Sequence, residues 1–170
     1  SQPGALGILV GGIGIGAASL LELLLGTQGV DTLCAFFGIV SALALFLAAR
    51  FRKEGLQPIP LLYALVSVFF MLRLICYYRT YSADPVLVDY CFQLLALVCL
   101  MLASYQRAAF CANIGSRRAF TFFSLCALYC CCLSLTGWKD ILFFLPAGFW
   151  MATDLCSLLP APSRKKQEEG

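Results

Sequence analysis

Long apolar runs are the feature that most limits what this chain can fold into. Six runs of mainly apolar side chains are separated by short polar, charged or Gly/Pro-containing segments. A helix needs roughly 20 such residues to cross the hydrocarbon core of a bilayer. The sequence therefore predicts six spans, at residues 5–25, 32–49, 59–78, 87–105, 119–135 and 141–159.

The composition agrees with this class. Of the 170 residues, 61% are hydrophobic and only 12% are charged, and the mean hydropathy is +0.88. A soluble domain is about half apolar and about a quarter charged. We expect an all-α polytopic membrane bundle, with residues 1–160 as a single six-span domain and residues 161–170 as a charged cytoplasmic tail. The net charge of +3 is too small and too scattered to predict a nucleic-acid surface.

The distribution of Lys and Arg predicts the orientation. The segments after the second, fourth and sixth spans hold nine of the twelve basic residues. The opposite side has only Arg79 and Lys139, and Arg73 lies inside the third span. Because short basic loops stay in the cytoplasm, both termini are predicted to be cytoplasmic.

Three charged residues lie within predicted spans, where each costs about 2.5–3.5 kcal/mol on insertion scales and needs a partner. Glu22 and Arg73 are both roughly 6–7 Å from the same predicted surface, at 1.5 Å per helical residue, and this equal depth allows them to form an ion pair. Asp154 lies near the opposite surface, within reach of Arg107, Arg117 or Arg118.

The outer polar residues form the candidate ligand-binding set: Glu22, Arg73, Tyr77, Asp89 and Gln93. One interpretation is an outward-facing pocket in which Arg73 meets an anionic ligand group or Glu22 meets a cationic one. The other is that the pair neutralises itself and holds the bundle in register. A third is that Glu22 or Arg73 extends to the membrane interface instead. The sequence leaves all three open.

The first span is rich in small residues, which allow helix backbones to approach closely. They form a candidate surface for internal helix packing or for a partner subunit: Gly7, Gly11, Gly12, Gly16 and Ala18. In the sixth span, Pro146 is predicted to kink the helix.

The chain contains no histidine, which removes Ser-His and Cys-His nucleophile pairs. No enzyme activity, cofactor or metal site is therefore predicted. Ten cysteines are present, almost all in predicted spans, where a free thiol behaves as a small apolar group. Cys76 and Cys91 flank one outer hairpin, and an oxidising exterior would allow them to form a disulfide.

One segment resembles a stretch found in bacterial six-helix membrane proteins of unassigned function. It comprises Tyr77-Tyr78-Arg79-Thr80-Tyr81-Ser82-Ala83-Asp84-Pro85, then Asp89-Tyr90 and Gln93-Leu94-Leu95-Ala96-Leu97. The resemblance covers about residues 77–97 and implies a multi-pass location in the plasma (inner) membrane. It implies no activity.

The expected function is to bind or transport a small solute through an outward-facing pocket between spans one, three and four. The six-span architecture is similar to that of the substrate-binding subunits of energy-coupling-factor vitamin transporters, by span number and orientation alone. The alternative is a non-catalytic membrane subunit or scaffold that packs against a partner membrane protein or a second copy. In both cases the lipid bilayer is the immediate partner, and the small-molecule ligand is unknown.

The orientation can be tested by labelling single cysteines introduced into a chain that lacks the native ones. Cysteines replacing Gly29 and Ala83 should react with an impermeant reagent added outside the cell. Those replacing Gly55 and Gly115 should react only after the membrane is opened. The reverse pattern would contradict the predicted orientation.

Overall fold

The chain folds into α-helices joined by short connections. A computed structural model describes residues 2–25, 29–56, 58–82, 87–135 and 137–158. Its helices are α1 (Gln2–Leu24), α2 (Val30–Lys53), α3 (Pro60–Tyr81), α4 (Leu87–Cys111), α5 (Arg117–Leu133) and α6 (Trp138–Leu158). The all-α prediction is confirmed.

The helices pack in chain order around a ring, and α6 closes the ring against α1. Because consecutive helices are neighbours joined by short loops, they alternate in direction. At one end, here called the Glu22 end, α1, α3 and α5 finish and α2, α4 and α6 begin. At the other end, here called the Asp154 end, α2, α4 and α6 finish and α1, α3 and α5 begin.

Large side chains fill the interior between the two ends. Tyr63 and Trp150 are fully buried and stack with ring centroids 6.5 Å apart. Phe69, Phe70 and Phe143 form an aromatic cluster with centroid separations of 5.6–6.2 Å. The core is thus mainly apolar and aromatic.

The outer surface of the ring is also apolar. Within the part of the chain that the structure describes, four helices are long and apolar enough to cross a membrane, over Gly4–Leu24, Thr32–Lys53, Pro60–Arg79 and Tyr90–Cys111. Of the other two, α5 has only 17 residues, and α6 carries Lys139, Asp140 and Asp154. Large apolar side chains point outward from every helix, for example Ile13, Leu43, Leu61, Leu95, Phe122 and Leu145. An apolar exterior of this extent is compatible with a membrane protein.

Three helices continue beyond their predicted ends, one of them α3, which reaches Tyr81 instead of residue 78. The second predicted span stops at residue 49, whereas α2 continues to Lys53; the fourth stops at residue 105, whereas α4 continues to Cys111. Basic residues in the last turn of α2 interact favourably with the helix dipole. These extensions place Arg52 and Arg107 on helices rather than in loops. The sixth helix continues through Pro146 as a single element.

The small residues of α1 lie against two neighbouring helices. A Cβ atom on Gly11 would lie 2.7 Å from Cβ of Trp150 on α6, and one on Gly12 would lie 3.3 Å from Cβ of Leu45 on α2. Gly7 faces Thr153, Gly14 faces the ring of Pro146, and Gly16 faces Ala42. Ala18 is buried. In this structure the small-residue surface is occupied by the chain's own helices.

The structure pairs Cys76 with Cys34, across α2 and α3, in a disulfide. Cys91 is a free, exposed cysteine. The disulfide between Cys76 and Cys91, which the sequence left open, is not formed in this structure. The reason is that the Cys76 side chain is buried and directed toward α2, rather than along the hairpin that joins α3 to α4.

Replacing Gly14 with Leu should destabilise the bundle. The new side chain would overlap the rigid ring of Pro146, and such overpacking typically costs about 1–3 kcal/mol. The matched control is Ala17→Leu, which adds a similar volume on the exposed side of the same helix. Thermal unfolding in detergent should show a lower midpoint for Gly14→Leu alone. Equal midpoints would contradict the tight α1–α6 contact.

Candidate functional site

A buried ion pair lies at the Glu22 end. Both terminal nitrogens of Arg73 donate to the Glu22 carboxylate, at 2.6 and 2.7 Å, which joins α3 to α1. The Arg73 side chain is only 6% exposed, whereas that of Glu22 is 33% exposed. The guanidinium also lies against two aromatic rings, 4.3 Å from the Phe143 centroid and 5.5 Å from that of Tyr77. The predicted Glu22–Arg73 ion pair is present.

A second carboxylate lies beside this pair. The Tyr77 hydroxyl donates to Asp140 at 3.3 Å, and the Gln93 side-chain amide donates to the other oxygen of Asp140 at 3.1 Å. Through Tyr77, which contacts both Arg73 and Asp140, the two groups form one network across α1, α3, α4 and α6. We call these five residues the outer network: Glu22, Arg73, Tyr77, Gln93 and Asp140.

The outer network differs from the predicted set in two ways, at Gln93 and at Asp140. Gln93 bonds to Asp140 rather than to the Glu22–Arg73 pair. Asp89 belongs to α4, but its side chain lies outside the described residues. Asp140 was expected in the segment before the sixth span and is instead in the first turn of α6. The sequence does contain a pattern that indicates the inward position of Asp140. At helical spacing, Asp140 shares a face with the buried residues Phe143, Phe144 and Ala147.

A separate charged cluster lies at the Asp154 end. Asp154 is 1% exposed, and its Oδ1 atom lies 2.6 Å from Arg52 Nη1 and 3.4 Å from Arg107 Nη2. Arg52 also donates to the Ser157 hydroxyl at 2.8 Å. The prediction that Asp154 lies near Arg107 is confirmed. Arg117 and Arg118 are exposed, and Arg52 takes the position expected of them because α2 extends past its predicted end.

The two clusters carry opposite charge imbalances. The outer network holds two carboxylates and one guanidinium, whereas the Asp154 cluster holds two guanidiniums and one carboxylate. Asp140 and Asp154 lie on the same face of α6, about 21 Å apart along the helix at 1.5 Å per residue. The sixth helix therefore contributes one inward carboxylate to each end.

These side-chain contacts connect helices that are not neighbours in the ring. Glu22–Arg73 joins α1 to α3, Asp140 joins α6 to α3 and α4, and Asp154 joins α6 to α2 and α4. The polar contacts thus cross the interior at both ends. Chemically, the site offers charge recognition and hydrogen bonding. Among the described residues, no cluster of three or more His, Cys, Asp or Glu side chains has the arrangement of a metal site.

Comparison with known proteins gives no match: no family model, curated protein or solved structure matches the chain. The resemblance of residues 77–97 to bacterial six-helix membrane proteins therefore stays a prediction.

Replacing Glu22 alone with Leu should destabilise the protein more than replacing Glu22 and Arg73 together. The single change leaves a buried guanidinium without its carboxylate; we expect a cost of about 2–3 kcal/mol, reduced from the range for fully buried pairs because Glu22 is a third exposed. The double change removes both charges. Thermal unfolding of the two variants in detergent measures the difference. A double variant less stable than Glu22→Leu would contradict the ion-pair account.

Proposed function

We propose that this chain is a six-span membrane protein, with both termini in the cytoplasm, that binds or transports a small solute carrying a cationic group. The solute enters from outside and binds at the outer network. The role is not enzymatic, and the location is the bacterial plasma (inner) membrane.

The outer surfaces of the two remaining helices, α5 and α6, support six spans. Phe122, Leu125 and Tyr129 of α5 are exposed, as are Leu145 and Phe149 of α6. These side chains continue the apolar exterior of the other four helices around the ring. A ring with two helices outside the bilayer would leave that apolar surface in water.

The single observation that carries the solute proposal is the partner set of Asp140. Among the ion pairs of the described residues, none includes Asp140, whose oxygens accept from the neutral donors Tyr77 and Gln93. Asp140 lies in the first turn of α6, where the helix dipole favours a negative charge, and a cation beside it would stabilise that charge further. Glu22, its nearest acidic neighbour in the network, is already paired with Arg73. An amine on a solute would supply the missing positive charge.

The alternative function, a non-catalytic subunit or scaffold, is favoured by a different observation. Both terminal nitrogens of Arg73 are taken by Glu22, and two aromatic rings contact the guanidinium. A guanidinium whose two terminal nitrogens are both bonded to one carboxylate can hold helices in register without binding anything else. In that case the protein should copurify with a partner protein rather than with a small ligand.

Native mass spectrometry of protein extracted gently from its own membrane tests the proposal. The native chain should carry a stoichiometric small molecule that contains an amine. Asp140→Asn should lose it, because the amide is isosteric and retains hydrogen bonding but removes the negative charge. The matched control is Glu54→Gln, which makes the same charge change at an exposed position on the Asp154 end.

Each result discriminates between the functions. Loss of the ligand from Asp140→Asn and from the double variant Glu22→Leu/Arg73→Leu, with retention in Glu54→Gln, supports the solute proposal. Retention by all variants places the ligand elsewhere and contradicts the site. A copurifying protein with no small ligand supports the scaffold.

A further inference from the structure

An apolar groove of about 200 Å³ lies on the outer surface of the ring, between α1 and α2. Its lining includes the small residues Gly12 and Ala42 and the larger side chains Ile13, Leu43 and Phe46. A Cβ atom on Gly12 would lie 3.4 Å from the carbonyl oxygen of Ala42, so the two backbones approach closely there. A water molecule occupies about 30 Å³ of liquid, so the groove has room for a stretch of hydrocarbon chain. We call it the α1–α2 groove.

The α2 wall of the groove continues into two basic residues. At 100° per residue, an arc of about 100° on one face of α2 holds six residues: Ile39, Ala42, Leu43, Phe46, Arg50 and Lys53. The Arg50 guanidinium lies 6.0 Å from the centroid of the Phe46 ring. Arg50 and Lys53 are exposed, whereas Arg52 between them faces the interior and pairs with Asp154. The apolar groove and an outward-facing cationic group are therefore consecutive on one helix face.

The length of this face matches one leaflet of a bilayer. Both α1 and α2 are long and apolar enough to cross a membrane. Along α2, Phe46 lies about 6 Å and Ile39 about 17 Å from the level of Arg50, at 1.5 Å per residue. Half of the hydrocarbon core of a bilayer is about 15 Å thick. The groove thus lies at the depth of the acyl chains, and Arg50 at the level of the phosphates, in the leaflet at the Asp154 end.

The charge at the end of the groove selects its occupant. None of the ion pairs among the described residues includes Arg50 or Lys53. Basic side chains at the membrane surface attract anionic lipid headgroups. A second copy of the chain, packed here with the same orientation about a twofold axis, would instead bring like charges together. An anionic lipid therefore fits this surface better than a second copy does.

We propose that the α1–α2 groove binds one phospholipid with a net negative charge, from the leaflet at the Asp154 end. One acyl chain lies in the groove between α1 and α2. The phosphate accepts hydrogen bonds from the Arg50 guanidinium, and Lys53 adds to the attraction. The proposal rests on α1 and α2 spanning the membrane and not on the solute site at the outer network.

Native mass spectrometry of delipidated protein in detergent micelles tests the site. Dioleoyl phosphatidylglycerol and dioleoyl phosphatidylcholine, which share their acyl chains and differ in net charge, are added in separate titrations. One phosphatidylglycerol should remain bound per chain, with an affinity about fivefold or more above that of phosphatidylcholine. This ratio corresponds to the attraction of about one basic side chain.

A substitution in the groove tests where the acyl chain lies. Leu43→Trp should fill the groove from its rim and weaken binding of both lipids about fivefold or more. Leu43 is 60% exposed, so the larger side chain leaves the packing of α1 on α2 intact. The matched control is Leu125→Trp on α5, which makes the same change at a residue that is 50% exposed and does not line the groove. It should bind both lipids as the native chain does.

A second substitution tests the headgroup contact. Arg50→Gln should lower the affinity for phosphatidylglycerol toward that for phosphatidylcholine. Arg117→Gln, which removes an exposed cation at the same end on α5, should keep the native preference. Asp140→Asn, the change that tests the solute site, should also bind lipid as the native chain does, so the two proposals can fail separately.

Four results would overturn the proposal. Equal affinities of the native chain for the two lipids would remove the role of Arg50. Native binding by Leu43→Trp would place the acyl chain elsewhere. Equal losses in Leu43→Trp and Leu125→Trp would reduce the effect to general solvation by lipid. A dimer without bound lipid would assign the groove to a second copy.

Discussion

The structure depends on satisfying two carboxylates that α6 directs into an apolar bundle. Such a group is stable in low-polarity surroundings only when donors from other parts of the chain reach it. Asp140 takes its donors from α3 and α4, and Asp154 takes its donors from α2 and α4. These requirements connect α6 to helices across the ring, beyond its neighbours α5 and α1. The polar contacts therefore fix which helices face one another at each end.

The small residues of α1 make that arrangement possible. Without side chains at Gly7, Gly11 and Gly14, α6 approaches closely enough for Thr153, Trp150 and Pro146 to lie directly on the α1 backbone. This contact closes the ring between the first and last helices. Close approach through glycine is a common way for membrane helices to gain van der Waals contact when water provides no driving force. The same contact orients the face of α6 that carries both carboxylates.

The sequence predicts the helices well and the polar partners only partly. The number and order of the helices and the Glu22–Arg73 pair follow from apolar run length and from depth, which are local properties. Asp140 was not in the predicted set because a charged residue just before an apolar run is typical of a loop. Only its helical spacing from Phe143 and Phe144 indicates that its side chain faces the interior of the bundle. Arg52 was not assigned to the Asp154 cluster because a span predicted from hydropathy stops at the first charged residues. In the structure, α2 continues for another turn beyond that point. The Cys34–Cys76 pairing depends on which faces of α2 and α3 meet, and that is set by the whole bundle rather than by either segment.

The two ends of the bundle differ in the sign of their excess charge, and this difference would affect how the proposed solute moves. For the proposed solute to bind from outside, a contact between helices in the outer network must be replaced by a contact with the solute. The negative charge of Asp140, which forms no ion pair among the described residues, favours a cation there. The Asp154 cluster lies about 21 Å away along α6, beyond the aromatic core, and no hydrogen bond described here joins it to the outer network. The polar contacts of the two ends are therefore separate sets of side chains on one helix. Pro146 lies between the two carboxylates, at a point where α6 lacks a backbone donor.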